Sequence, residues 1–365
     1  MHVSPCLCGK ADMRRTASSR VIGGILVVLS TMTVFALSVA PAASSERVAA
    51  GTTAAGTGQS SADLAAPSAS SGCPSQACSS VLADVAAASK IKTLPSNLTP
   101  QLQNAQSDIH APPGGKCGTL GISGVDPEYE PCTWGSSQAA TKIVLLGESH
   151  AWMWSTPIES IAQKNGDSFA LLYRSSCNVV LTAASLPVQG TVGQAPPGSE
   201  CTQWTKAAVK WIVAYKPQVV IVATQGRFYT QGNERTYLKG LRELFQEMKA
   251  PGRRLIMLQD MPLPNPNVPQ CLAAHESDVQ ACSDSEPVGV QDLLRYHSYD
   301  RQRATLKPLG VSFVNVIPWF CSKRTCPAVI GNFEVYEDPW HATTTYSEHL
   351  APVLGIALGL TAPTP

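Results

Sequence analysis

Five short apolar runs, Ile143–Leu146, Phe169–Tyr173, Val219–Ala223, Leu255–Leu258 and Val311–Val316, alternate with segments of helical periodicity, and this rotation constrains the fold most. Runs without polar alternation suit strands buried on both faces. The segments between and after them read as helices over Trp152–Asn165, Trp204–Tyr215, Glu234–Lys249, Asp292–Leu306 and Thr344–Leu358. In the second of these, Trp204, Ala207, Ala208, Trp211, Ile212 and Tyr215 share one face. Strand and helix in strict succession imply right-handed crossovers, hence a parallel sheet covered on both sides. The expected class is α/β: a three-layer α/β/α sandwich around a parallel sheet of about five strands. The carboxyl ends of the strands then share one rim, where open parallel sheets gather their ligands.

Two stretches meet at that rim. The first run continues as K-I-V-L-L-G-E-S-H-A-W-M-W, Lys142 to Trp154, so Ser149 stands at a strand end just ahead of a helix. A helix amino terminus offers unpaired N–H groups and partial positive charge to an oxyanion formed at a serine, but a serine there also serves as an ordinary N-cap. Near the other end the chain reads Y-E-D-P-W-H-A-T, Tyr336 to Thr343. Asp338 and His341 lie three apart across a proline-containing turn, so one loop can present the imidazole to a serine and the carboxylate to the imidazole. A seryl hydroxyl needs such a base to attack at neutral pH. D-x-x-H alone often marks only a capped helix start; its combination with G-E-S-H-A-W is much more specific.

The pair resembles the first and last blocks of the SGNH, or GDSL-like, hydrolase superfamily, in particular the extracytoplasmic SGNH domain attached to bacterial acyltransferase-3 membrane proteins. The first block, G-D-S-H-x-x-x-W-x-x-P in that group, is matched by Gly147, Glu148, Ser149, His150, Trp154 and Pro157. The last, D-x-x-H-L-T, is matched by Asp338, His341 and Thr343, with Ala342 in place of leucine. Glu148 replaces the usual aspartate, and the G-x-N-D block of secreted SGNH esterases is not visible. The resemblance covers roughly Leu94 to the end and implies a flavodoxin-like SGNH sandwich with Ser149 as nucleophile, His341 as base and Asp338 as its orienting carboxylate.

It also directs attention to the other rim loops. After the second run comes R-S-S-C, Arg174 to Cys177, where SGNH enzymes place a backbone donor for the oxyanion; the amide of Ser176 or Cys177 is the candidate. After the third comes T-Q-G-R-F-Y, Thr224 to Tyr229, where acyltransferase-3 relatives often carry an arginine followed by an aromatic residue, matched by Arg227 and Phe228. Gln225 or Arg227 is the candidate side-chain donor, a surface ion pair being the alternative for Arg227. Trp340 is placed to flank substrate, whereas Trp152 and Trp154 divide between pocket lining and core. His150 is expected to orient the loop or cap the helix; His110, His275, His297 and His349 have no partner pattern. The prolines of Met261–Pro269 suggest a rigid rim loop.

The near-neutral balance of 27 basic and 26 acidic residues excludes a polyanionic partner such as nucleic acid. Residues 21–40 are apolar and follow Arg14, Arg15 and Arg20, the pattern of an export signal or of a single membrane anchor if uncleaved. The expected organisation is a signal peptide or anchor over 1–44, an Ala/Ser/Thr/Gly tether over 45–72, a short disulfide-containing extension over 73–116 and the SGNH domain over 117–365. Ten cysteines follow the apolar segment, and an even number on an oxidising side points to disulfides. Their spacing invites neighbour pairs: 73 with 78, 117 with 132, 177 with 201, 271 with 282 and 321 with 326. No partner spacing completes a zinc site at Cys321 and Cys326, and neither metal nor cofactor is assigned.

The resemblance, with the export pattern, implies an exported O-acyl esterase or O-acyltransferase acting on short acyl, foremost acetyl, esters of cell-envelope glycans. Its substrate is an acylated glycan or small ester. A separate membrane protein would supply any acyl donor, since the chain holds at most one span. The alternative is a noncatalytic glycan-binding or scaffold module that retains the SGNH shell.

Overall fold

A computed structural model describes residues 75–117, 120, 131–177, 179–182, 198–225, 234–264, 267–284, 298–322 and 325–362. The expected signal or anchor, the tether, Cys73, Arg227, Phe228 and His297 lie outside these residues. Among the described residues no helix is long and apolar enough to cross a membrane.

A seven-stranded sheet carries the fold, in the order β1-β2-β4-β3-β5-β6-β7. Its parallel part comprises β3 (Lys142–Gly147), β4 (Ser168–Tyr173), β5 (Val219–Ala223), β6 (Arg254–Leu258) and β7 (Ser312–Val314). These are the five expected strands, in flavodoxin-like order. Two strands that the apolar pattern does not announce, β1 (Lys116–Cys117) and β2 (Cys132–Trp134), extend the β4 edge antiparallel. The chain departs from β3 toward β4 on one side and from β4 back to β5 on the other, so the ends of β3 and β5 flank the switch point.

Alternation along the strands divides the core into two layers. Ile143 and Leu145 of β3 and Ile221 and Ala223 of β5 join a cluster with α3 (Ser149–Asn165), α8 (Thr344–His349) and α9 (Ala351–Ala357). Val144, Leu146, Val220 and Val222 pack oppositely against α4 (Gly198–Tyr215) and α5 (Glu234–Met248). The remaining helices among the described residues are α1 (Gln76–Ala87), α2 (Leu102–Ala105), α6 (Val268–Ala274) and α7 (Ser298–Leu306), and β8 (Val329–Ile330) pairs with β9 (Phe333–Glu334). The extension is part of the first layer: Val81, Val85, Ala88 and Leu98 sit in the same cluster as α3.

Several boundaries differ from expectation for identifiable reasons. Helix α3 begins at Ser149 because the side chain of Glu148, not of Ser149, is the N-cap, accepting from the His150 amide. It closes at Gly166, whose φ of 71° is the left-handed conformation that favours glycine. The final helix is two: α8 stops at Leu350 and α9 restarts with Pro352 in its first turn, where a missing N–H costs nothing. The expected run to Val316 ends at Val314, and residues 317–319 form a 3-10 turn containing Pro318.

Disulfides join Cys177 to Cys201, Cys271 to Cys282 and Cys321 to Cys326, as the spacing suggests. Cys78 and Cys132 are also disulfide-bonded, and Cys132 stands opposite Cys117 in the strand register.

Candidate active site

The end of β3 has no room for a side chain. A Cβ on Gly147 would lie 1.9 Å from the Ala223 carbonyl oxygen and 2.6 Å from Ala151 Cβ, so only glycine lets α3 start tightly against β5. Glu148 follows, 1% exposed. Its Oε1 accepts the Gln225 amide at 2.7 Å, tying β3 to the end of β5, while Oε2 accepts the Ser149 hydroxyl at 3.0 Å and the His150 amide at 3.2 Å. Glutamate thus fills the aspartate position of the block that this stretch resembles, with a side chain that reaches the neighbouring strand. Ser149 is the first residue of α3, at the positive end of a 17-residue helix.

The closing loop arrives at the same place. Tyr336 bridges Ala342, and the Glu337 amide donates to the His341 carbonyl at 3.0 Å, so residues 337–341 form a closed turn. Within it Asp338 Oδ1 accepts the amides of Trp340 (2.6 Å) and His341 (2.7 Å), and both carboxylate oxygens lie 3.0 Å from His341 Nδ1. Burial alone would raise the Asp338 carboxyl; the hydrogen bond and charge of His341, with the two amides, outweigh it and hold it below the usual range. Thr343 fixes the exit, capping α8 through the Tyr346 amide and donating to the Glu334 carbonyl. The extension clamps the other side: Asp108 accepts the amides of Thr344 and Thr345, and the His110 amide donates to the Thr344 hydroxyl.

The two stretches meet through their histidines. The His150 and His341 rings are 5.4 Å apart, which puts the His341 loop beside the residue that follows Ser149. His341 Nε2 is buried and has no hydrogen-bond partner among the described residues.

A residue pair that the sequence leaves unannounced completes the arrangement. His150, 1% exposed, sets Nδ1 2.5 Å from Asp260 Oδ1, just past the end of β6. Its ring therefore pairs with a strand end and does not cap the helix. Burial works against the imidazolium, but the Asp260 carboxylate, then Glu148, the hydrogen bond and Asp338, prevail and lift its pKa to about 9. The position of Asp260 two residues beyond an apolar run was the available signal; its separation of 110 residues from His150 hid the pairing.

The other rim candidates divide. The Cys177 amide donates to the Arg174 carbonyl at 3.3 Å, and the Gln225 amide is taken by Glu148. Ser176 has a φ of 57° on a loop that the Cys177–Cys201 bridge anchors to α4. The Gln225 side chain is half-buried. Trp340 is half-buried against the first core layer beside His341, Trp152 leans on Tyr173 with ring centres 4.5 Å apart, and Trp154 belongs to the core.

Residues 116–355 match the family model described as "SGNH domain (fused to AT3 domains)". No curated protein matches the chain. Among solved structures, the chain is similar to the periplasmic domain of the lipopolysaccharide acetyltransferase of Salmonella ser. Paratyphi A, at 14% identity and a TM-score of 0.47, over 59% of this chain and 82% of that one.

Proposed function

This chain belongs to the family of SGNH domains fused to AT3 domains, and on that premise we propose that it is an exported serine-dependent O-acyl esterase or O-acyltransferase. The observation that carries the reading is the meeting of the Ser149 helix terminus with the Asp338-held imidazole, whose Nε2 is buried without a hydrogen-bond partner among the described residues. In this reading the Ser149 hydroxyl leaves Glu148 by rotation about χ1 and gives its proton to His341 Nε2. Ser149 Oγ then bonds to the carbonyl carbon of an ester. As the tetrahedral intermediate collapses, the ester C–O bond breaks, the alcohol takes the proton from His341, and the acyl group stays on Ser149. Water completes an esterase cycle; a sugar hydroxyl completes a transferase cycle.

The helix terminus supplies the Ser149 amide to the oxyanion, with the Ser176 backbone amide as a second donor and the Gln225 side chain as a third. Arg227 and Trp340 are assigned to substrate. Short acyl esters of cell-envelope glycans are the proposed substrates, with a separate membrane protein as acyl donor for transfer. Ten cysteines beyond the apolar segment, with the bridges described, support export. The test is hydrolysis of p-nitrophenyl acetate and butyrate by the wild type and Ser149→Ala, with mass spectrometry after a fluorophosphonate. A serine-dependent rate and an adduct on Ser149 are expected; equal rates and no adduct would return the chain to the noncatalytic, glycan-binding alternative.

A further inference from the structure

The geometry points to His150 as a second functional histidine, an Asp260-bound cation whose Nε2–H donates to the substrate oxygen that becomes negative when Ser149 attacks. The inference rests on the acyl-transfer reading above. The position comes first: His150 follows the nucleophile in α3, and its ring lies 5.4 Å from that of His341. Asp260 occupies Nδ1, so the ring cannot swap nitrogens, while Nε2 is fully buried and meets no acceptor among the described residues. With Asp260 holding the ring protonated, Nε2 is a buried N–H without an acceptor among the described residues, a costly state that sites tolerate where a ligand oxygen completes the bond.

Charge gives the second reason. The groups facing His150 are Glu148 on its own element, Asp260 from β6, and Asp338 and His341 from the closing loop. Three carboxylates act on His150, the residue next to Ser149. A neutral His150 would leave the oxyanion in a negative field, and a resident imidazolium reverses that locally. It adds a charged donor to the neutral ones already proposed, the Ser149 and Ser176 amides and the Gln225 side chain. The two histidines then have separate duties: His341 carries the proton, and His150 holds charge throughout the cycle.

The experiment compares His150→Gln, which keeps a neutral N–H near the Nε2 position, His150→Leu, which keeps none, and Asp260→Asn, each checked for folding by circular dichroism. On p-nitrophenyl acetate, His150→Leu is expected to lower kcat on the order of 100-fold with little change in KM, as for loss of one oxyanion donor, and His150→Gln to recover part of it. Asp260→Asn is expected to move the alkaline limb of kcat/KM downward by a pH unit or more, a change that a packing role would not produce.

A readout in the wild type removes dependence on the variants. Nitrogen-15 histidine NMR should find His150 protonated at pH 7, identified through its contacts to Asp260, and its Nε2–H signal should shift when a fluorophosphonate forms its tetrahedral adduct on Ser149. A neutral His150 at pH 7, or an adduct that leaves its signal in place, overturns the proposal. Failure to form the adduct would instead overturn the acyl-transfer reading.

Discussion

Two histidine–carboxylate pairs face one another across this site, and they are built in opposite ways. Asp338 and His341 are three residues apart in one turn, their side chains 31% and 17% exposed, and the turn's own amides fix the carboxylate. His150 and Asp260 come from a helix start and a distant strand end, are 1% and 3% exposed, and meet only when α3 and β6 are in register. A partly wet pair assembled locally can release and recover a proton cheaply. A dry pair assembled by the whole sheet keeps its charge, because neutralising either partner strands the other. The contrast fits the division of labour proposed above, proton transfer by the first pair and electrostatics by the second.

The sharpest way to break the comparison is to remove the local base. His341→Ala is expected to lower hydrolysis of p-nitrophenyl acetate by about 10⁴-fold or more while shifting the melting temperature little, since the ring is part-exposed and terminal to a turn. A loss below tenfold would remove His341 from the base role.

The next effect is on stability and follows from linkage. The folded pKa of His150, about 9, lies above the ordinary 6.5, so its contribution is fully present below pH 6.5 and is lost as pH rises through 9. It amounts to about 3 kcal/mol at most. Denaturant midpoints measured from pH 6 to 10 should fall over that window in the wild type and less in Asp260→Asn.

A smaller effect separates the site from its support. Glu337 is pushed up to about 8 by burial first, then by Asp338 and Asp108. The folded chain therefore holds a proton that the unfolded chain releases, and stability declines as pH rises from 4.5 toward 8. Glu337→Gln should recover on the order of 1 kcal/mol at pH 8 in urea unfolding and leave the alkaline limb of activity in place.

What could be read beforehand follows the range of the interactions concerned. The parallel strands were legible because each is an uninterrupted apolar run, and the Asp338–His341 turn because its parts are adjacent in sequence. Strands β1 and β2 were not: two and three residues long, they are defined by an edge pairing to β4 and carry no period of their own. The helix start was misplaced because a glutamate cap depends on a side chain folding back on the His150 amide, and the usual capping residues favoured Ser149. Asp260 carried only its place two residues past an apolar run, and nothing local named its partner 110 residues away. The commitment of the Cys177 and Gln225 amides likewise depends on turn geometry that residue types do not encode.

The clamp of Asp108 and His110 on the residues after His341 sets a limit on where this protein can be shortened. The family match begins at residue 116, yet an expression product or proteolytic fragment starting there would lack α1, the Leu98 contact and both anchors of the closing turn. Trimming ahead of Ser75 spares every one of those contacts. The smallest unit that keeps the closing turn clamped on both sides therefore starts some forty residues upstream of the boundary that the family match draws.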